Sequence, residues 1–359
     1  MTEADAQPAV IVPPQVEQAP SPFAYQSTQA RSVLGASLDL ATRSAGDLRA
    51  ASLYIGLLVL GLAGPFALLV WGATEVGLSP TVGLPSDRDR ALEMWLGVTG
   101  FLAAIGLVVA AIETRGVATA LLGARLQQRP LTTRDAVRRS RMVFWRLVGV
   151  TLVVNGPLLI VQSLVADRLA AAFHGQSELS DVTATLVAAI IGTPFAYVTA
   201  GIVLGDVGPV ESAKRSIRLF SARRVSALVV SIIGVVAQFI TLAGLSAAVD
   251  LLVRVFDALG LSPESGTIGI AVITAVVIAA VFALGSLTFT VGALALAPEV
   301  VMFTALTHAA PGLDSVRQPA QPAANLARQP EFRWITRPLL AAIAMGGVAL
   351  VLGLATLAR

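Results

Sequence analysis

The sequence predicts an all-α, polytopic helical membrane protein with a six-span core and a seventh C-terminal span. Three observations lead there. Of 359 residues, 55% are hydrophobic and 13% charged, where soluble domains carry roughly 45–50% and 25%. Mean hydropathy is +0.79. Several apolar runs reach the ~20 residues that a helix needs to cross about 30 Å of hydrocarbon, and they lack the ~10-residue alternation of a membrane barrel.

Along the chain, residues 1–29 hold five prolines and no short apolar core. They read as a disordered tail without a cleavable signal. Residues 30–310 hold six expected spans, at about 51–72, 95–114, 147–166, 182–205, 225–249 and 267–297. A Pro- and Gln-rich linker, 311–335, leads to a C-terminal helix in 336–359.

Lys and Arg accumulate in cytoplasmic loops. With seven spans, alternate segments carry 20 of the 25 basic residues, and the remaining segments carry few. The expectation is a plasma (inner) membrane protein with its N-terminus in the cytoplasm and its C-terminus outside.

Three basic or amphipathic segments each precede an odd-numbered span, at 31–50, 131–148 and 208–226. In the first, Val33, Leu34, Leu38, Leu40, Ala41 and Leu48 share a side at 100° per residue. In the second, Ala136, Val137, Val143, Phe144 and Leu147 form the apolar face, with Arg138, Arg139, Arg141 and Arg146 off it. In the third, Val210, Ala213, Ile217 and Phe220 form the stripe, and Lys214, Arg215 and Arg218 lie away from it. Thr132 or Thr133 is positioned to cap the second helix. Pro209 and Glu211 suit the first turn of the third.

Glu113, Asp206 and Glu299 close the even-numbered spans and recur 93 residues apart. Gly64-Pro65 and Gly156-Pro157 recur 92 residues apart. The core therefore reads as three tandem units, each an interfacial helix followed by a transmembrane hairpin.

The stretches VLGASLDLATRSAGDLRAASLYIGLLVLGLAGP and VLGDVGPVESAKRSIRLFSARR resemble uncharacterised prokaryotic six-transmembrane proteins. That group is related to the membrane domain preceding some glycerophosphodiester phosphodiesterases. The resemblance covers about residues 31–310 and implies a six-helix membrane domain. The chain holds no soluble phosphodiesterase domain, so no such activity is carried over.

No cysteine is present, and the two histidines, His174 and His308, fall on opposite sides of the expected topology. No HExxH, Walker A lysine motif or GxSxG in a suitable context occurs. The expectation is a non-enzymatic protein with no cofactor and no metal. The basic helices have two readings: they set topology alone, or Arg138, Arg139, Arg141, Lys214, Arg215 and Arg218 hold anionic lipid headgroups. A protein partner is the other candidate for that surface; nucleic acid is excluded, because the charge is spread over membrane-adjacent loops.

The acids Glu113, Asp206 and Glu299 either pair with nearby arginines such as Arg115 or form an interfacial ring that orients the basic helices. The spans hold no central ionisable residue. Their polar residues include Asn155, Gln162, Thr193, Gln238 and Thr241. The alternative function, a transporter or permease-like channel, requires Asn155, Gln162, Thr193 and Gln238 to line one cavity. An intramembrane enzyme acting on lipid headgroups is the weakest reading. Asn155-Gly156-Pro157 and Thr193-Pro194 are expected kinks.

Overall fold

A computed structural model describes residues 30–78, 85–127, 130–172, 177–258 and 266–309, with Leu339, Leu340 and Ile343 beyond them. The expected N-terminal tail, the linker, His174 and most of the seventh span lie outside the described residues. For His308 the helix is described but the side chain is not.

Every regular element among the described residues is helical. In order they are α1 (Ala30–Arg43), α2 (Ala45–Leu78), α3 (Pro85–Leu126), α4 (Thr133–Met142) and α5 (Phe144–Val150). A π segment (Thr151–Asn155) joins α5 to α6 (Gly156–Ala172). Next come α7 (Ser177–Gly192), a 3₁₀ turn (Thr193–Phe195), α8 (Val198–Val203), α9 (Pro209–Ala222), α10 (Arg224–Ala258) and α11 (Gly266–Ala309).

Six stretches are long and apolar enough to cross a membrane: Ala45–Leu62, Gly97–Leu126, Phe144–Leu169, Ser180–Val203, Arg224–Ala248 and Thr274–Thr307. Each overlaps an expected span. The chain is thus an all-helical protein with the makings of a multi-pass membrane bundle.

Local signals explain where the short helices begin. Thr132 is the N-cap of α4, its Oγ1 accepting the Asp135 N–H at 3.2 Å. Pro209 opens α9 after Gly208, with Glu211 in the first turn. Both expected kinks fall where the helix leaves α geometry. The π segment ends directly before Gly156-Pro157, and Thr193-Pro194 sits inside the 3₁₀ turn. Such departures cluster at proline because it removes an amide donor and crowds the preceding turn.

The core is concentrated toward one end of the bundle. Val117, Ala118, Leu121 and Leu122 on α3, Phe144 on α5, Tyr197, Ile202 and Leu204 around α8, and Phe289, Val300 and Phe303 on α11 are all buried. This is the end that carries α4 and α9. Away from it the helices present apolar side chains outward: Leu152, Val153, Leu159 and Ile160 are all more than 60% exposed. Lipid makes such exposure costless, so helices there associate by close approach instead. Gly106 of α3 lies against the Leu62 backbone of α2, and Gly61 lies against Leu340. Leu340, 3% exposed, joins the same core.

Candidate functional site

The basic segments fold against the bundle by turning some of their charges inward. On α4, Arg139 is buried. Its Nε donates to the Val203 carbonyl at 2.9 Å, and Nη2 lies 3.6 Å from Asp206 Oδ1. Val203 is the last residue of α8, so the guanidinium satisfies a carbonyl that the helix itself leaves unpaired. Arg146 donates to the same Asp206 Oδ1 at 3.1 Å. Asp206 holds φ of 53°, a left-handed backbone that a non-glycine residue adopts only at a cost. Two arginines anchor it there. Burial pulls the Arg139 pKa below its ordinary value, and Asp206 opposes that pull.

A second cluster joins three helices. Tyr54 Oη of α2 donates to Glu113 Oε1 of α3 at 2.7 Å. Arg141 of α4 donates through Nε to the same oxygen at 2.9 Å and through Nη2 to Tyr54 Oη at 2.7 Å. Glu113 has no exposed surface. Burial alone would depress the Arg141 pKa, but Glu113 and then Tyr54 outweigh it and leave it raised.

The third acid, Glu299 of α11, is buried and accepts the Ala200 N–H at 3.1 Å. Arg115 and Tyr197 are its electrostatic neighbours. Glu113, Asp206 and Glu299 therefore each fasten a different pair or trio of elements, and Glu113 and Glu299 lie inside the protein, not at an exposed interface. Glu113 pairs with Arg141, because α4 packs beside α3 and delivers that guanidinium, while Arg115 is an electrostatic neighbour of Glu299.

On α9 the buried face is Ser212, Arg215, Ser216 and Leu219. Ser212 Oγ donates to the Val198 carbonyl and Ser216 Oγ to that of Pro194, both at 2.7 Å, and Ser216 Oγ accepts the Tyr197 N–H at 3.1 Å. These hydroxyls satisfy backbone groups that the 3₁₀ turn displaces. Arg215 Nε donates to Glu211 Oε1 at 3.2 Å. The expected stripe is reversed in part: Val210 is 69% and Ile217 45% exposed, while Leu219, off that stripe, is buried. The reason is that α9 has polar partners to reach on its inner side.

Of the six basic residues expected to face headgroups, Arg139 and Arg215 are buried, and Arg141 and Arg138 are partly covered. Lys214 and Arg218 are exposed. Arg223 and Arg224, which the helical pattern left out, are exposed beside them. A run of basic residues after the helix was the signal available for that pair.

The four polar residues of the channel reading have separate surroundings among the described residues. Gln162 Nε2 donates to Thr185 Oγ1 at 2.9 Å. Thr193 is buried and donates to Ala189 O at 2.8 Å within its own helix. Gln238 is exposed on α10. Asn155 lines a small open cleft between α3, the α5–π segment and the 3₁₀ turn with α8. Arg115, Thr151 and Thr199 share that cleft.

No family model matches the chain, and neither does any curated protein or solved structure.

Proposed function

We propose that the chain is a non-enzymatic, multi-pass protein of the prokaryotic plasma membrane whose basic end faces the cytoplasm and engages anionic lipid through α9. One observation carries this reading. On α9 the exposed residues include Val210, Lys214, Ile217 and Arg218, with Ser221 and Ala222 at its end, while Arg215 is held inside. Cations and apolar side chains together on an outward face suit the boundary between headgroups and acyl chains. Trp145, 57% exposed at the start of the third span, belongs to the same level, where aromatic rings favour the interface.

The reading extends to the architecture. A short amphipathic helix precedes a pair of long helices three times, at α1, α4 and α9, which supports three tandem units behind the spacing of Glu113, Asp206 and Glu299. The resemblance at 33–65 and 203–224 fits this arrangement and brings no activity with it. The carboxylates and arginines of the interior act as fasteners between helices, which leaves them occupied by structure.

The chain contains no cysteine, so single-cysteine nitroxide labels test the proposal directly. Labels at Val210→Cys and Ile217→Cys, in vesicles containing phosphatidylglycerol, should collide with oxygen more than with a water-soluble nickel complex. Replacing Lys214 and Arg218 with Gln should shift both labels toward water by weakening attraction worth about 1 kcal/mol per charge. Labels that sit in water in every vesicle, indifferent to the two cations, would rule the reading out.

A further inference from the structure

The cleft around Arg115 has no part in the surface of α9. Arg115, Asn155 and Thr199 all line it, and none of the three side chains makes a hydrogen bond or a close ion pair with any described residue. Arg115 is exposed, Asn155 half-buried and Thr199 8% exposed. An exposed cation at the end of an apolar run, beside two polar side chains, is placed to meet an anionic headgroup. Asn155 reaches the cleft from the π segment, a geometry frequent at functional sites.

We infer that this cleft seats the phosphate of one anionic phospholipid from the leaflet at the basic end. The three side chains offer N–H and O–H donors around one guanidinium, and a guanidinium binds phosphate oxygens in pairs. Glu299, the acid on which Arg115 acts electrostatically, is buried, already accepts the Ala200 N–H and does not line the cleft. Apart from Thr151, whose hydroxyl donates to the Leu147 carbonyl, the remaining walls, among them Ile112, Val154 and Phe195, are apolar, which favours a lipid glycerol and acyl chain over free phosphate. The depth also agrees. Arg115 stands just beyond the 95–114 apolar run of the sequence, where hydrocarbon gives way to headgroups. Basic pockets between spans at this level suit anionic headgroups. The inference shares with the proposed function only a membrane setting and a lipid class.

The test is native mass spectrometry of the full-length protein in mild detergent, with phosphatidylglycerol and phosphatidylcholine in equal amounts. The native chain should retain one phosphatidylglycerol in preference to phosphatidylcholine. Arg115→Gln should weaken that retention about fivefold, Asn155→Leu should weaken it as well, and Arg115→Lys should keep most of it. The Lys214→Gln/Arg218→Gln double variant should leave it unchanged, so failure of the α9 reading remains distinct. Arg115 makes no hydrogen bond or ion pair within 4 Å of a described residue, and Asn155→Leu gives an independent reading should Arg115→Gln unfold for want of a cation near Glu299. Equal retention of both lipids, undiminished retention in the Arg115 and Asn155 variants, or displacement by excess inorganic phosphate would overturn the inference.

Discussion

Arg139 closes a helix to which it does not belong: its Nε donates to the Val203 carbonyl across 64 residues of sequence. The bond ties α4 to the end of α8, and the same guanidinium helps to hold Asp206 in its left-handed turn. Arg139→Ala would strand a carbonyl and weaken the anchoring of Asp206 to Arg146 alone. Removing one partner of a buried pair costs about 3 kcal/mol or more. Unfolding of the purified protein in mixed micelles should show a loss near that size. Arg139→Lys should recover only part of it, because a single ammonium lacks the fork that reaches both acceptors. An alanine variant as stable as the native chain would contradict this account.

Glu113 and Arg141 should behave as one unit. Glu113→Gln retains an acceptor oxygen for Tyr54 but removes the charge that Arg141 meets at 2.9 Å. Arg141→Met removes the cation and leaves Glu113 buried without it. Each single change should be costly, and the double variant should be less costly than their sum by about 1–3 kcal/mol. A double-mutant cycle read by the same unfolding measurement decides it. Strict additivity would mean that the contact adds nothing to the fold.

The six spans were legible because hydropathy reports what a helix can be surrounded by, and Thr132, Pro209 and the two kinks were legible because they are local chemistry. The rotation of α9 was not. A helical wheel assumes that apolar residues turn inward, yet lipid accepts Val210 and Ile217 on the outside. What turns Ser212 and Ser216 inward is a pair of carbonyls, Val198 at the start of α8 and Pro194 in the 3₁₀ turn. The acids show the same limit. Their spacing marked Glu113, Asp206 and Glu299 as related positions, but the partner of each depends on which helix packs beside it. Arg141 lies 28 residues from Glu113, and only the packing of α4 on α3 brings the two together. The cleft was half legible: Asn155 stood out as a polar residue beside a kink, while Arg115 and Thr199 became its neighbours only through packing.

Glycine positions separate close packing from mere flexibility. A Cβ at Gly106 would stand 2.7 Å from the Leu62 carbonyl oxygen, and backbone cannot move aside as a side chain can. Gly106→Ala should therefore push α2 and α3 apart and cost about 1–3 kcal/mol. At Gly100, on the same helix, a Cβ meets nothing within 4 Å. Gly100→Ala should be neutral or stabilise by up to about 1 kcal/mol, since alanine is the better helix former. Thermal denaturation of the two variants in one detergent gives the comparison. A drop for Gly100→Ala as large as that for Gly106→Ala would remove the case for backbone contact.

Adjacent cations on α9 should have opposite roles. Arg215 is 7% exposed and bonded to Glu211, whereas Lys214 is exposed. Arg215→Ala should destabilise the protein by about 1–3 kcal/mol, through the lost packing of its stem and the lost charged hydrogen bond. Lys214→Ala should leave stability within about 0.5 kcal/mol of native, as surface substitutions generally do. The difference should reverse when α9 is examined at a membrane. Spin labels at Ile217→Cys should respond to the loss of Lys214 and, at equal protein stability, not to Arg215→Lys, which keeps the inward charge. If both cations affected folding alike, α9 would have to sit in another rotation, and the outward face argued for lipid contact would go with it.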